Sequence, residues 1–138
     1  MLQPPTALIA VVIAVLAAGT AAPQDVNKAA PTVKDVMTTM TVPASDAIFS
    51  AASEPPKDAA QWVALRASAV MLAESGRLLT ATDRAKKDAE WLELPRTMVT
   101  EAEATFKAID AKDSEALAQA GDSVYVTCDA CHARYMDR

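Results

Sequence analysis

Beyond residue 31 the apolar side chains of this chain recur three and four apart, a spacing that suits one face of a helix and cannot line one face of a strand. The first such run, 32–52, carries Val33, Val36, Met37, Met40, Ala44, Ala47, Ile48 and Ala51. Pro43 lies inside it. Without an N–H, and crowding the carbonyl of Thr39, it is expected to kink this helix or divide it in two. Ser53-Glu54-Pro55-Pro56-Lys57 ends the run. The second, 58–79, places Trp62, Leu65, Ala69, Leu72, Gly76 and Leu79 in one stripe behind a capping Asp58. Gly76 there costs helix propensity, about 1 kcal/mol, and permits a close helix approach. A polar connection, 80–90, contains Arg84-Ala85-Lys86-Lys87. The third run, 95–111, begins at Pro95, which suits a first turn, and shows Val99, Ala102, Phe106 and Ile109. The fourth starts at about 114, capped by Asp113 or Ser114, and aligns Leu117, Ala120, Val124, Cys128, Cys131 and Tyr135.

No strand-like alternation, repeat or low-complexity segment competes with these runs. Three glycines and an aromatic content of 4% in an alanine-rich chain favour helices over sheets. The expectation is an all-α domain over 23–138, most economically an antiparallel four-helix bundle.

Residues 1–22 hold no ionisable side chain, and the stretch from Thr6 to Ala22 is apolar and closes in small residues. That pattern predicts a signal peptide for export, cleaved near Ala21. The segment departs from the usual signal in having no Lys or Arg at its start, and a retained N-terminal anchor is the competing reading. All ionisable residues fall after 22, so the remainder carries the whole net charge of −5. A nucleic-acid partner would call for a basic face, and this chain is acidic.

The chemistry concentrates in Cys128-Asp129-Ala130-Cys131-His132 on the fourth helix. Residues at i, i+3 and i+4 share one helical face, so two thiols and an imidazole point the same way. Cys-x-x-Cys followed by His is the attachment signature of a c-type haem: the thiols bond the two vinyl groups and the imidazole reaches the iron. A redox dithiol of the thioredoxin type would want a βαβ context, and a structural zinc site would want four ligands where His132 is the sole histidine. A haem-free exported helical protein with a Cys128–Cys131 disulfide is the alternative of another class.

The ending Tyr125-Val126-Thr127-Cys128-Asp129-Ala130-Cys131-His132-Ala133-Arg134-Tyr135, at the C-terminal end of an exported helical chain, resembles the class II cytochromes c, the cytochrome c′ family. Val36-Met37 and the stretch 43–49 resemble the first helix of its low-spin, Met-ligated branch; Gln61-Trp62 to Leu79 resembles the second, and Glu90-Trp91 onward the third and fourth. The resemblance implies a four-helix bundle with haem held by the C-terminal helix, His132 as the proximal iron ligand, and one covalently bound haem c. It also implies that members often form homodimers through their first two helices.

What faces the other side of the iron decides the chemistry. A thioether makes a six-coordinate, low-spin electron carrier; an apolar residue leaves iron open to nitric oxide or carbon monoxide. Met37 and Met40 share a face of the first helix, and in the Met-ligated branch the ligand stands early in that helix, several residues before a proline like Pro43. Met37 is therefore expected as the distal ligand, with Met40 as the alternative and core packing as the bland reading of both. Met71 and Met98 read as core or groove fillers, and Met136 stands on the same helix as His132. Tyr135 is expected to pack beside the haem. Trp62 and Trp91 read as core anchors or pocket walls, Arg66 and Arg134 as solvated residues or propionate partners. The expected function is a periplasmic one-electron carrier, not an enzyme, meeting redox partner proteins, to an acidic one of which Lys86-Lys87 offers a basic cluster. The membrane enters only if the N-terminal segment is retained. A five-coordinate gas-binding haem protein is the second expectation.

Overall fold

The computed structural model describes residues 31–81 and 88–136. The leader, Arg84 and Lys86-Lys87 lie outside the described residues. Every element among those described is helical: α1 (Val33–Val36), a wide turn (Met37–Thr41), α2 (Val42–Ser53), α3 (Ala59–Leu79), α4 (Ala89–Ala111) and α5 (Ser114–Tyr135).

Each start has a chemical reason. Thr32 and Asp35 form a reciprocal cap: the Asp35 amide donates to Thr32 Oγ1 at 3.2 Å and the Thr32 amide to Asp35 Oδ2 at 2.8 Å. The Thr32 hydroxyl, donating to Asp35 Oδ2 at 2.7 Å, and then the Thr32 amide favour the ionised carboxylate and hold Asp35 below its usual range. Asp58 caps α3 by accepting from the Gln61 amide, and Asp113 caps α5 by accepting from Glu115 and Ala116. Between α4 and α5 the chain turns in two residues, with Lys112 in the left-handed region at φ 53° and the Asp113 amide donating to Ala108 O.

Two prolines bear on the boundaries read from the sequence. The first run, expected to kink or divide at Pro43, is divided just ahead of it into α1 and α2. Just before that proline the chain widens into a π-turn, in which the Val42 amide donates to Met37 O, five residues back. One extra residue in the turn shifts the carbonyls that would otherwise meet the proline ring, so the helix passes Pro43 with a local widening.

The third helix begins at Ala89, so Pro95 sits inside it and not in its first turn. Asp88 caps it by accepting from the Glu90 amide, and Trp91, 3% exposed, donates its indole N–H to Leu79 O at 3.0 Å. Burial of a large aromatic and a satisfied indole outweigh one proline. The polar residues 88–90, read as connection, are a cap and a first turn.

Packing closes the four long helices into a ring. α3 lies on α4, α4 on α5, α5 on α2 and α2 on α3, and among the described residues no diagonal pair of these backbones comes as close. Ile48, Leu72, Leu79, Leu117 and Val124 are the large apolar side chains wholly inside it. Two glycines set how closely the neighbours approach. A Cβ on Gly76 would lie 2.7 Å from Val99 Cγ2 and 3.1 Å from both Met98 Cε and Pro95 O, and one on Gly121 would lie 2.8 Å from Ala52 Cβ. Arg66–Asp110 (2.9 Å) and Arg77–Glu103 (2.7 Å) also join α3 to α4, but all four side chains are half exposed, so each pair adds at most about 1 kcal/mol.

Gly76→Ala should therefore destabilise the fold even though alanine is the better helix former. The backbone oxygen of Pro95 cannot step aside, and overpacking of about 1–3 kcal/mol outweighs a propensity gain of about 1 kcal/mol. Urea unfolding monitored by circular dichroism checks this; a midpoint raised above wild type would contradict the contact argument.

Candidate functional site

One cleft collects most of the residues that the sequence singled out. It holds about 300 Å³, within the range of small-molecule and cofactor sites. Its walls come from every helical segment but α1: Met37 and Thr41 from the π-turn; Val42, Ser45, Asp46 and Phe49 from α2; Leu79 from α3; Leu94, Pro95 and Met98 from α4; and Tyr125, Thr127, Cys128, Asp129, Cys131 and His132 from α5. Cys128, Cys131 and His132 face it together, as i, i+3 and i+4 on α5 require. Cys128 and Cys131 are half-buried, and His132 stands at the exposed side.

Small residues let neighbouring helices meet closely away from the cleft. Gly121 lets α5 press against Ala52 of α2. Towards Cys128 the same two helices carry larger residues, and Phe49 meets Tyr125 edge-on with ring centroids 6.2 Å apart. The far wall is apolar: Leu79, Leu94, Pro95 and the buried Met98. Asp46 and Asp129 supply the carboxylates, and no lysine or arginine stands among the lining residues described. Burial in these surroundings raises the Cys128 thiol above its ordinary range, and the neighbouring Cys131 adds to that.

Met37 and Met40 part company. Met37 lines the cleft with Thr41 and Val42; Met40, half-buried, does not. Met98 lines it too, a thioether that the sequence reading assigned to packing. Its methyl end lies at Gly76, so it is engaged in the α3–α4 contact. Met71 and Met136 are exposed and outside the cleft.

Tyr135, expected beside the site, does not line it. One turn beyond Cys131 on the same face of α5, its ring lies edge-on to Trp91 (centroids 4.9 Å) and its hydroxyl donates to Asp88 Oδ2 at 2.7 Å. Arg134 reaches Glu90 at 2.9 Å. These contacts tie the last turn of α5 to the first turn of α4, directly behind the Cys-x-x-Cys-His segment. Arg66 pairs with Asp110 and lies over the Phe106 ring, away from the cleft. Trp62 and Trp91 are buried without lining it.

Phe49, Leu79, Leu94, Pro95 and Tyr125 were not legible as site residues. Apolar side chains on separate helices carry no local mark of which gap they will border. Among the described residues no group of three or more His, Cys, Asp and Glu side chains is gathered as a metal-ion site. Comparison with the models of known protein families, with curated proteins and with solved structures finds no match to the chain.

The chain's own thiols, when both are free, allow a direct check. A raised thiol keeps its proton longer in the fold than in the unfolded chain, so the contribution of Cys128 to stability is full below the ordinary thiol value. It falls away as pH rises from there through the folded-state value. Alkylation of Cys128 with iodoacetamide, followed by peptide mass mapping, should show a pH midpoint above that of an unfolded control; an equal or lower midpoint would remove the desolvation argument.

Proposed function

We propose that this chain is an exported, periplasmic c-type cytochrome that carries single electrons. In this reading haem is attached at Cys128 and Cys131, His132 and Met37 supply the axial ligands, and the four helices alternate in direction, as their short connections favour. The observation that carries it is the meeting of Met37 with Cys128, Cys131 and His132 on the walls of one largely apolar cleft.

The donor set fits the group. Two thiols on one helical face match two vinyl positions, and the histidine next to the second thiol presents a nitrogen on the same side. Leu79, Leu94, Pro95, Met98 and Phe49 offer the dry surface that a flat apolar macrocycle needs. Bound there between imidazole and thioether, the iron would supply a one-electron Fe(III)/Fe(II) couple at raised potential. The protein's part is to hold. Covalent attachment prevents loss of the group, the bonds from Tyr135 and Arg134 to α4 anchor the turn that bears His132, and apolar walls exclude water. No acid or base is needed, so the reading is of a carrier and not of an enzyme; its partners are other redox proteins. No helix among the described residues is long and apolar enough to cross a membrane.

Met37 is preferred to Met40, which does not border the cleft, and to Met98, whose methyl is packed at Gly76. Visible spectra of the oxidised and reduced protein, with and without carbon monoxide, test the whole reading. Wild type and Met98→Leu should be low-spin and unreactive to carbon monoxide when reduced, whereas Met37→Leu should become high-spin and bind it fully. A wild-type protein that is already high-spin and binds the gas would replace the electron carrier by the five-coordinate gas-binding protein. Absence of a covalently retained haem band after denaturing electrophoresis would sink both.

A further inference from the structure

The wide turn before Pro43 decides which side chain the first helical segment offers to the cleft. Each residue turns an α-helix by about 100°. Counted from Ala44 at that step, the cleft-lining residues Thr41, Ser45, Phe49, Val42 and Asp46 fall at about 60°, 100°, 140°, 160° and 200°, one continuous face. Ile48, at about 40°, continues the core line of Ala44. In an unbroken α-helix Met37 would fall at about 20°, on the core line, and Thr38 at about 120°, in the middle of the cleft face.

The observed pattern is shifted by one residue. Val36 is 2% exposed and takes the core position, Met37 is half-buried and lines the cleft, and Thr38 is exposed. One extra residue in the turn accounts for all three. It is the residue inserted where Val42 donates to the carbonyl five back instead of four. The buried Thr41 adds a hydroxyl contact across the same span, to Val36 O at 3.5 Å.

We infer that the π-turn Met37–Thr41, together with Pro43, is a register device that delivers a thioether to the cleft where a straight helix would deliver the hydroxyl of Thr38. Pro43 is its positioning residue. A straight helix would drive the proline ring into the carbonyl four residues earlier, so the widened register is the one the proline tolerates. The consequence for iron ligation rests on the proposed function; the register itself does not.

Two measurements on the full chain separate these. In the haem-loaded protein, the exchange Met37→Thr with Thr38→Met should abolish the low-spin spectrum and admit carbon monoxide, because position 38 faces solvent. Deletion of Thr39 combined with Pro43→Ala removes the extra residue, leaves Met37 on the cleft face of a straight helix, and should keep the wild-type spectrum. A low-spin spectrum in the exchanged protein would overturn the inference. Should wild type itself be high-spin, the proposed ligation fails and register is read without iron. Single Met37→Cys and Thr38→Cys variants are labelled with iodoacetamide and mapped by peptide mass. Labelling several-fold faster at 38 than at 37 supports the inserted register, and protection at 38 overturns it.

Discussion

The hydrogen bond from the Val42 amide to the Met37 carbonyl reaches one residue further than a helix ordinarily allows, and the relation between the first helical segment and the rest of the molecule depends on it. Downstream of this bond, α2 is fixed by Ala44, Ile48 and Ala51 in the core. Upstream, the chain is rotated by about one residue, or about 100°, relative to the direction those contacts would impose. Val36 thereby enters the core beside them and Met37 comes to the cleft. Neither could do so if the helix were regular, because a rigid rod with its C-terminal half pinned has no freedom left at its N-terminal half.

Close helix contacts at two glycines flank the remaining walls. Glycine at 76 draws α3 and α4 together, and glycine at 121 draws α2 and α5 together at the Ala52 level. The larger side chains Phe49, Tyr125 and Leu94 occupy the gap that remains beyond these contacts. The end of α5 is then secured to the start of α4 by Tyr135–Asp88 and Arg134–Glu90, while Trp91 fills the space beneath and bonds to the end of α3. The Cys128–His132 segment thus stands on a braced helix. In the proposed electron carrier, bracing of this kind would hold the iron's ligands in place between oxidation states.

Where the sequence reading and the structure diverge, a tertiary contact overrode a local rule. Pro95 reads as a first-turn residue, yet α4 begins six residues earlier because burying Trp91 against Leu79 O stabilises more than the proline costs. Tyr135 belongs to the stripe that includes Cys128 and Cys131, yet one turn further along α5 its ring meets Trp91 and its hydroxyl meets Asp88, at the start of α4 and beyond the cleft.

By itself the sequence determined the helical class, the four long runs, most of their ends and the shared face of Cys128, Cys131 and His132. These are properties of spacing and capping within single segments, where the physics is local: 3.6 residues per turn, side-chain oxygens on unpaired amides, prolines and acidic caps at the breaks. Only the tertiary structure decided that Met37 and not Met40 borders those residues, and that Leu79, Leu94 and Met98 complete the wall. Those facts depend on how far one helix rolls against another. A single residue inserted in one turn changes that roll by about 100°, with no trace in the spacing of the apolar residues on either side.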